Sequence, residues 1–198
     1  QMCIRDSLNS PHLEKKTTQS VNILQGTLSF NNLIDSTAAY KILCELEDYN
    51  KSSCVIIKHG NPCGVSVDNT ILGAYKKALN TDPVSAFGGI VAVNKQVDEK
   101  LAKKILSIFT EVIIAKKFTR QAIKTLSLKK NIRIVEVKKF DGALLDKEEI
   151  RSVLGGYLVQ ETSLSKPNQE EIKVVTKRKP SKKDPVSYTH LTLPTTGI

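Results

Sequence analysis

The chain has 198 residues, of which 40% are apolar and 25% charged, as in an ordinary globular protein with its own hydrophobic core. No apolar run approaches the roughly 20 residues that a membrane-spanning helix needs, so we expect no membrane partner. Thirty lysines and arginines against 20 acidic residues give a net charge of +10, which favours anionic ligands.

The two ends of the chain are related through their codons. If residues 186–191 are encoded as GTC TCT TAT ACA CAT CTG, the reverse complement, CAG ATG TGT ATA AGA GAC, encodes residues 1–6. One DNA element read in opposite directions supplies both ends, as read-through of a transposon-derived sequencing adapter would. We therefore expect residues 1–7 and 186–198 to be non-native, and residues 8–185 to be a partial domain from a gene cut at both ends.

Between these ends the sequence predicts alternating helices and strands. Residues 8–25 are polar and weakly patterned. The predicted elements are then a helix from Asp35 or Ser36 to about residue 49, a strand over 54–57, a helix capped by Asp68, a strand over 90–93, a helix starting at Asp98, a strand over 111–115, a helix from Thr119 to about 128, and a strand over 132–137. Residues 151–160 and 172–176 are candidates for further elements, and a boundary is possible within 163–184.

This alternation predicts an α/β fold with a mostly parallel sheet and helices on its faces. In such sheets, ligands bind at the carboxyl ends of strands. The stretch "CVIIKHGNPCGVS" places Lys58 and His59 at such an end, followed by a turn at Gly60, Asn61, Pro62 and Gly64. We also expect the loop "VSAFGG", with Ser85, Phe87 and Gly88, to lie nearby.

Lys58 and His59 are the candidate catalytic pair. A histidine titrates near neutral pH and suits proton transfer, and a nearby ammonium keeps it available as a base. The ammonium can itself donate to developing negative charge. The alternative is that both side chains are simply solvated at the end of a strand.

The four cysteines, Cys3, Cys44, Cys54 and Cys63, form no CxxC pair, which predicts free thiols in a reducing cytoplasm. Cys63 is expected to be a packed thiol rather than a nucleophile. A zinc-dependent nucleobase deaminase would carry H-x-E and P-C-x-x-C, and neither occurs around His59 and Cys63. We therefore expect no zinc or other metal site, although a deaminase relative stays an alternative.

Basic residues are concentrated in residues 116–139, with nine bases and one acid, and in residues 166–183, with seven bases and two acids. Such runs are usually solvated surface, although they also attract phosphorylated metabolites, polyglutamate or nucleic acid. Few aromatic residues interleave them, which argues against nucleic acid as a partner. A basic nucleic-acid-binding module stays the alternative to an enzyme.

Five motifs together carry a family resemblance: "LSFNNLIDSTAA", "VIIKHGNPCGVSV", "AYKKALNTDPVSAFGGIVAVN", "EVIIA" and "VVTKRKPS". In this order they resemble the aminoimidazole carboxamide ribonucleotide (AICAR) transformylase part of the bifunctional purine biosynthesis proteins, which also contain an IMP cyclohydrolase. The resemblance covers residues 25–182. It implies a three-layer, cytidine-deaminase-like α/β/α fold, here the first half of a duplicated domain, without the zinc of the deaminases.

The resemblance also implies an activity and its site. The family transfers a formyl group from the co-substrate 10-formyltetrahydrofolate to the amine of AICAR, as a cytoplasmic homodimer. By resemblance His59 accepts the proton and Lys58 stabilises the transition state, while Gly88 and Glu111 contact AICAR. The implied supporting loop residues are Asn61, Pro62, Gly64, Ser85 and Phe87.

The sequence departs from the family at one substrate-binding loop. The family's R-Y-G-E-N-P-H-Q loop grips the substrate phosphate, and only Pro11-His12 echoes it here. By resemblance, the later transformylase half, which supplies the folate contacts, and the cyclohydrolase domain are expected to lie outside this chain. We therefore expect this chain alone to be inactive.

Overall fold

The computed structural model describes residues 20–47, 50–142, 145 and 148–161. The chain divides after residue 144 into two compact units. The predicted element at 172–176, the possible boundary within 163–184 and both expected adapter ends lie outside the described residues. None of the helices in the described part is long and apolar enough to cross a bilayer.

The first unit alternates strands and helices. Its elements are β1 (Val21–Gln25), α1 (Phe30–Leu46), β2 (Ser52–Lys58), β3 (Asn61–Asp68), α2 (Ile71–Thr81), β4 (Gly89–Val97), α3 (Glu99–Ile105), β5 (Thr110–Phe118), α4 (Arg120–Leu126) and β6 (Arg133–Val137). The second unit contains an antiparallel hairpin, β7 (Glu148–Val153) and β8 (Gly156–Glu161), which overlaps the predicted region 151–160 and extends beyond it at both ends.

The first unit is built on a mixed sheet of six strands in the order β1-β6-β5-β4-β2-β3. The pairs β4–β5 and β5–β6 are parallel, whereas β1–β6, β2–β3 and β2–β4 are antiparallel. The prediction of a mostly parallel sheet is therefore wrong. The reason is the tight turn after Lys58, which returns the chain antiparallel beside β2 without a helical crossover.

Helices cover both faces of this sheet. Cys54 and Ile56 of β2 lie in one hydrophobic cluster with Tyr75 of α2, Leu101 of α3 and Leu126 of α4. The alternating residues 55 and 57 are also fully buried and point to the opposite face, where α1 contacts β2 and β4. The predicted three-layer α/β/α arrangement is thus confirmed.

Two predicted helix starts are wrong. Helix α1 begins at Phe30, where Ser29 is the N-cap and Asn32 completes a capping box, so Asp35 and Ser36 lie inside the helix. Helix α2 is capped by Thr70 rather than Asp68. The predicted caps at Asp98 and Thr119 are confirmed, each accepting a backbone N–H from three residues onward.

The predicted turn at Gly60, Asn61, Pro62 and Gly64 is wrong beyond Gly60, because Asn61, Pro62 and Gly64 belong to strand β3. The chain reverses over His59 and Gly60 alone, and residue 61 already pairs with Lys58 as β3 begins. Pro62 lies in this edge strand, where a residue without an N–H is tolerated. A Cβ on Gly64 would stand 2.0 Å from the carbonyl oxygen of Ala78, so the absence of a side chain lets α2 pack directly against β3.

Candidate functional site

The sheet brings the predicted site residues together at one end of its strands, which we call the site edge. Lys58 ends β2, and Ile57 pairs with Ile90 near the start of the antiparallel strand β4. Gly89 at the start of β4 in turn pairs with Thr110, the first residue of the parallel strand β5. The carboxyl end of β2 therefore lies beside the amino ends of β4 and β5, which places Lys58, His59, Gly88 and Glu111 along the site edge.

His59 stands in an unusual backbone conformation. Its φ is 54°, in the left-handed region that non-glycine residues rarely adopt, and Gly60 follows with a φ of 75°. The carboxylate of Asp35 accepts both backbone N–H groups of this turn, from His59 at 3.1 Å and from Gly60 at 2.6 Å. The side-chain amide of Asn61 donates to the carbonyl of His59 at 3.1 Å. The backbone N–H groups of the turn are thus held by Asp35, and the carbonyl of its first residue is held by Asn61.

Lys58 reaches across the site edge to the loop before β4. Its Nζ donates to the carbonyl oxygen of Phe87 at 2.8 Å, which ties the end of β2 to that loop. The loop is closed by a bond from the N–H of Ser85 to the carboxylate of Asp82, at 2.9 Å. The ammonium is therefore held beside the loop that leads into β4.

Two glycines, Gly88 and Gly89, let the loop before β4 pack closely against the neighbouring backbone. Gly88 has a φ of 76°, and its N–H donates to the carbonyl of Phe109 at 2.8 Å. A Cβ on Gly89 would stand 2.8 Å from the carbonyl oxygen of Ile57, so the loop enters β4 against the backbone of β2. The rings of Phe87 and Phe109 lie 5.4 Å apart, and both are exposed at the rim of the site edge.

Glu111 lies at the start of β5 and is half-buried. Its Oε2 accepts a hydrogen bond of 2.9 Å from the side-chain amide of Asn32, which is itself buried at the first turn of α1. Helix α1 therefore contacts both parts of the site, through Asn32 on one side and Asp35 on the other.

An open cleft of about 270 Å³ lies beside the turn and is lined by residues of α1 and by the turn itself: Asn31, Ile34, Asp35, His59 and Gly60. The two residues of the turn thus form part of the wall of this cleft. The wall is mixed, since Ile34 is an exposed apolar residue of α1.

Cys63 is buried and unsuited to nucleophilic attack. Burial raises the pKa of its thiol, and the charges of Asp82 and Asp35 raise it further, while Lys58 lowers it. The thiol is therefore protonated near neutral pH. Within the described ranges, no three histidine, cysteine or acidic side chains are grouped as metal ligands would be.

Sequence reasoning missed the roles of Asp35 and Asn32. The sequence predicts Asp35 as a possible helix cap, whereas its carboxylate accepts hydrogen bonds from a turn that begins 24 residues later in the chain. No local pattern signals such a contact. For Asn32 a signal existed, because Ser29 three residues earlier forms the spacing of a capping box.

Residues 6–191 match the family described as AICARFT/IMPCHase bienzyme. The chain is 42% identical over 175 residues to the bifunctional purine biosynthesis protein PurH of Caldicellulosiruptor saccharolyticus, covering 88% of this chain and 33% of that protein. The PurH proteins of Fusobacterium nucleatum and Magnetococcus marinus are 45% and 41% identical, over 79% and 87% of this chain and 30% and 32% of their own lengths. The chain thus spans about a third of the length of these relatives.

Two solved structures are distantly similar. The dCMP deaminase of cyanophage S-TIM5 matches with a TM-score of 0.40 and 14% identity, over 48% of this chain and 92% of its own. A putative formate dehydrogenase accessory protein of Desulfotalea psychrophila matches with a TM-score of 0.43 and 10% identity, over 64% of this chain and 56% of its own.

The sequence matches identify the family, and they agree with the resemblance that the motifs carry. This chain belongs to the AICARFT/IMPCHase bienzymes.

Proposed function

We propose that this chain forms part of the site at which a formyl group is transferred from 10-formyltetrahydrofolate to the 5-amino group of AICAR, in the synthesis of IMP. The observation that carries the proposal is the turn after β2, which holds a base, His59, next to an ammonium, Lys58, at the site edge. Membership of the purine biosynthesis family supports the choice of substrates.

The attacking amine of AICAR is conjugated with its ring and is a poor nucleophile, so it must lose a proton as it attacks. His59 accepts that proton in the proposed reaction, since it is an exposed residue that lines the cleft. The bond that forms joins the amine nitrogen to the formyl carbon. The proton thus passes from the amine to the imidazole.

Lys58 is proposed to stabilise the negative charge that develops during the reaction. As the amine attacks, negative charge develops on the formyl oxygen, and as the old bond between the formyl carbon and the folate nitrogen breaks, that nitrogen needs a proton. The ammonium of Lys58 can stabilise the negative charge on the formyl oxygen or give a proton to the folate nitrogen. Because the carbonyl of Phe87 already holds it in place, the side chain does not have to be immobilised during the reaction. Lys58 is the proposed transition-state stabiliser.

Gly88 and Glu111 are proposed to contact AICAR. The N–H of Gly88 already donates to Phe109, so a contact at this residue would use its carbonyl or its bare Cα. Glu111 offers a carboxylate, held in place by Asn32, to the hydroxyl and amide donors of the nucleotide. The supporting residues Asn61, Ser85 and Phe87 hold the two loops between which the ligand would lie.

The proposal extends to the whole enzyme. We propose that it acts as a cytoplasmic homodimer, needs no zinc, and takes its folate contacts from the part of the transformylase that this chain lacks. Formyl transfer requires both substrates to be held within near-attack distance. The 198-residue chain by itself should therefore show no folate-dependent formylation of AICAR.

The test is substitution in the full-length protein. His59→Ala should lower formyl transfer by roughly 10² to 10⁴, the usual scale for a positioned acid–base group, and Lys58→Ala should fall in a similar range. Lys76→Ala, which removes an exposed ammonium from α2, is the matched control and should leave the rate unchanged. A folded His59→Ala enzyme with near-normal turnover would remove the histidine from the mechanism.

A further inference from the structure

We propose that Asp35 is a positioning residue, whose two carboxylate oxygens hold His59 in its left-handed backbone conformation and thereby fix where the imidazole stands. The catalytic use of that imidazole rests on the proposed function. The positioning itself rests only on the geometry of α1 and the β2–β3 turn. Sequence reasoning gave Asp35 no role beyond that of a possible helix cap.

The first argument is the pattern of hydrogen bonds. Oδ2 of Asp35 accepts from the N–H of His59 at 3.1 Å, and Oδ1 accepts from the N–H of Gly60 at 2.6 Å. Each oxygen thus takes one of two consecutive donors, which is possible only when both N–H groups point to the same side of the turn. Bonds to an ionised acceptor are stronger than bonds between neutral groups.

The second argument is that the turn needs such support. Lys58 and Asn61 pair directly, so His59 and Gly60 form a two-residue hairpin loop in which both φ angles are positive. Loops of this kind prefer asparagine or aspartate before glycine, because these side chains tolerate the left-handed region. Histidine is a less favourable choice. The sequence therefore has a histidine at a position where the conformational preference of the turn favours asparagine or aspartate.

The third argument is the rigidity of the support. Asp35 lies within α1, a helix of 17 residues whose first turn is closed by a capping box and which contacts β2 and β4. A carboxylate on such a helix moves little relative to the sheet. Through Asp35, the position of the turn is set by the packing of the helix on the sheet rather than by the turn alone.

The experiment measures hydrogen exchange at the amides of His59 and Gly60 in the full-length protein. Asp35→Ala should accelerate exchange at both amides by roughly 10- to 100-fold, since bonds to a charged acceptor are lost. Asp35→Asn, which keeps one acceptor oxygen, should protect more than Asp35→Ala. Glu45→Ala removes an exposed carboxylate from the far end of the same helix and should leave both amides unchanged.

Strain at His59 is tested in a second background. In His59→Gly the turn keeps its left-handed conformation without strain, so adding Asp35→Ala loses both hydrogen bonds with nothing regained. Beside His59 the freed turn can relax and recover part of the strain, so Asp35→Ala should change the unfolding equilibrium more in the His59→Gly background than it does beside His59. We expect a difference of roughly 5-fold or more between the two backgrounds. A purely structural aspartate would have the same effect in both, which would overturn the proposal. Unchanged amide exchange in Asp35→Ala would overturn it as well.

Activity separates this inference from the proposed function. If His59 is the base, Asp35→Ala should lower kcat at least 10-fold with little change in KM for AICAR, because a displaced imidazole affects the reacting geometry more than binding. Should the wild-type protein fail to formylate AICAR while the exchange and double-variant results hold, the proposed function fails and the positioning role of Asp35 stands.

Discussion

The side-chain amide of Asn32 links the start of α1 to Glu111. Its oxygen accepts the N–H of Ser29 at 3.2 Å and closes the capping box, while its nitrogen donates to Oε2 of Glu111 at 2.9 Å. One buried amide thus satisfies a helix terminus and orients the carboxylate that we propose to contact AICAR. The conformation of Glu111 is therefore coupled to the formation of the first turn of the helix.

Asn32→Ala should weaken two properties at once. We expect about 1 kcal/mol of lost stability from the cap and a several-fold weaker affinity for AICAR, measured by urea denaturation and by calorimetric titration. Ser29→Ala is the matched control, because it removes the cap but keeps the donor to Glu111. Equal losses of affinity in the two variants would mean that Asn32 acts through the helix alone.

Gly64→Ala tests the contact between β3 and α2. An added Cβ would meet the carbonyl oxygen of Ala78 at 2.0 Å and its carbonyl carbon at 2.8 Å, so the helix must move. We expect a loss of about 1–3 kcal/mol in the free energy of unfolding, or more if the helix cannot shift. Gly156→Ala, whose Cβ would meet nothing within 4 Å, should be close to neutral. A stable Gly64→Ala variant would contradict the packing described.

Asp68 should make stability depend on pH. The hydrogen bond from Lys77, at 2.6 Å, and that from the N–H of Thr70 lower the pKa of Asp68 to about 2. Because the folded pKa lies below the unfolded value of about 4, the contribution is complete above pH 4 and is lost as the pH falls toward 2. Asp68→Asn should therefore be less stable than wild type at pH 7, and the difference should shrink between pH 4 and pH 2. A difference that is constant across that window would disprove this account.

Cys63→Ala tests whether the thiol has a chemical role. Its pKa is raised, chiefly by burial, so the thiol is a poor nucleophile and a poor metal ligand near neutral pH. We expect formyl transfer by the full-length Cys63→Ala protein to stay within about threefold of wild type, and elemental analysis of the wild-type protein to find no stoichiometric zinc. Zinc that is present in wild type and lost in Cys63→Ala would revive the deaminase alternative.

The parts of the fold that follow from local pattern were predictable. Strands β4, β5 and β6 are apolar runs between polar boundaries, and Asp98 and Thr119 stand immediately before apolar helical periods. These signals depend only on neighbouring residues. The α/β class follows from the same alternation.

Features that depend on distant residues were not predictable. Strand β1 is formed by a weakly patterned segment because β6, more than 100 residues later, supplies its only strand partner in the described sheet. The short turn over His59 and Gly60 reads as a longer loop because Pro62 and Gly64 resemble turn residues, whereas both pack in an edge strand. Asp35 and the turn it supports meet only in the folded chain. The motifs indicate Lys58 and His59 as the candidate pair, but they do not indicate the residues that hold the pair in place.

The left-handed backbone of His59 sets two kinds of selection against each other. A library randomised at this position and selected for thermal resistance alone would enrich glycine and asparagine, which suit the turn better than histidine. The same library selected for growth without added purines would, under the proposed function, retain histidine. Under the proposed function, the natural sequence keeps histidine at this position although the turn is less stable with it, and a sequence optimised for stability alone would lose the base.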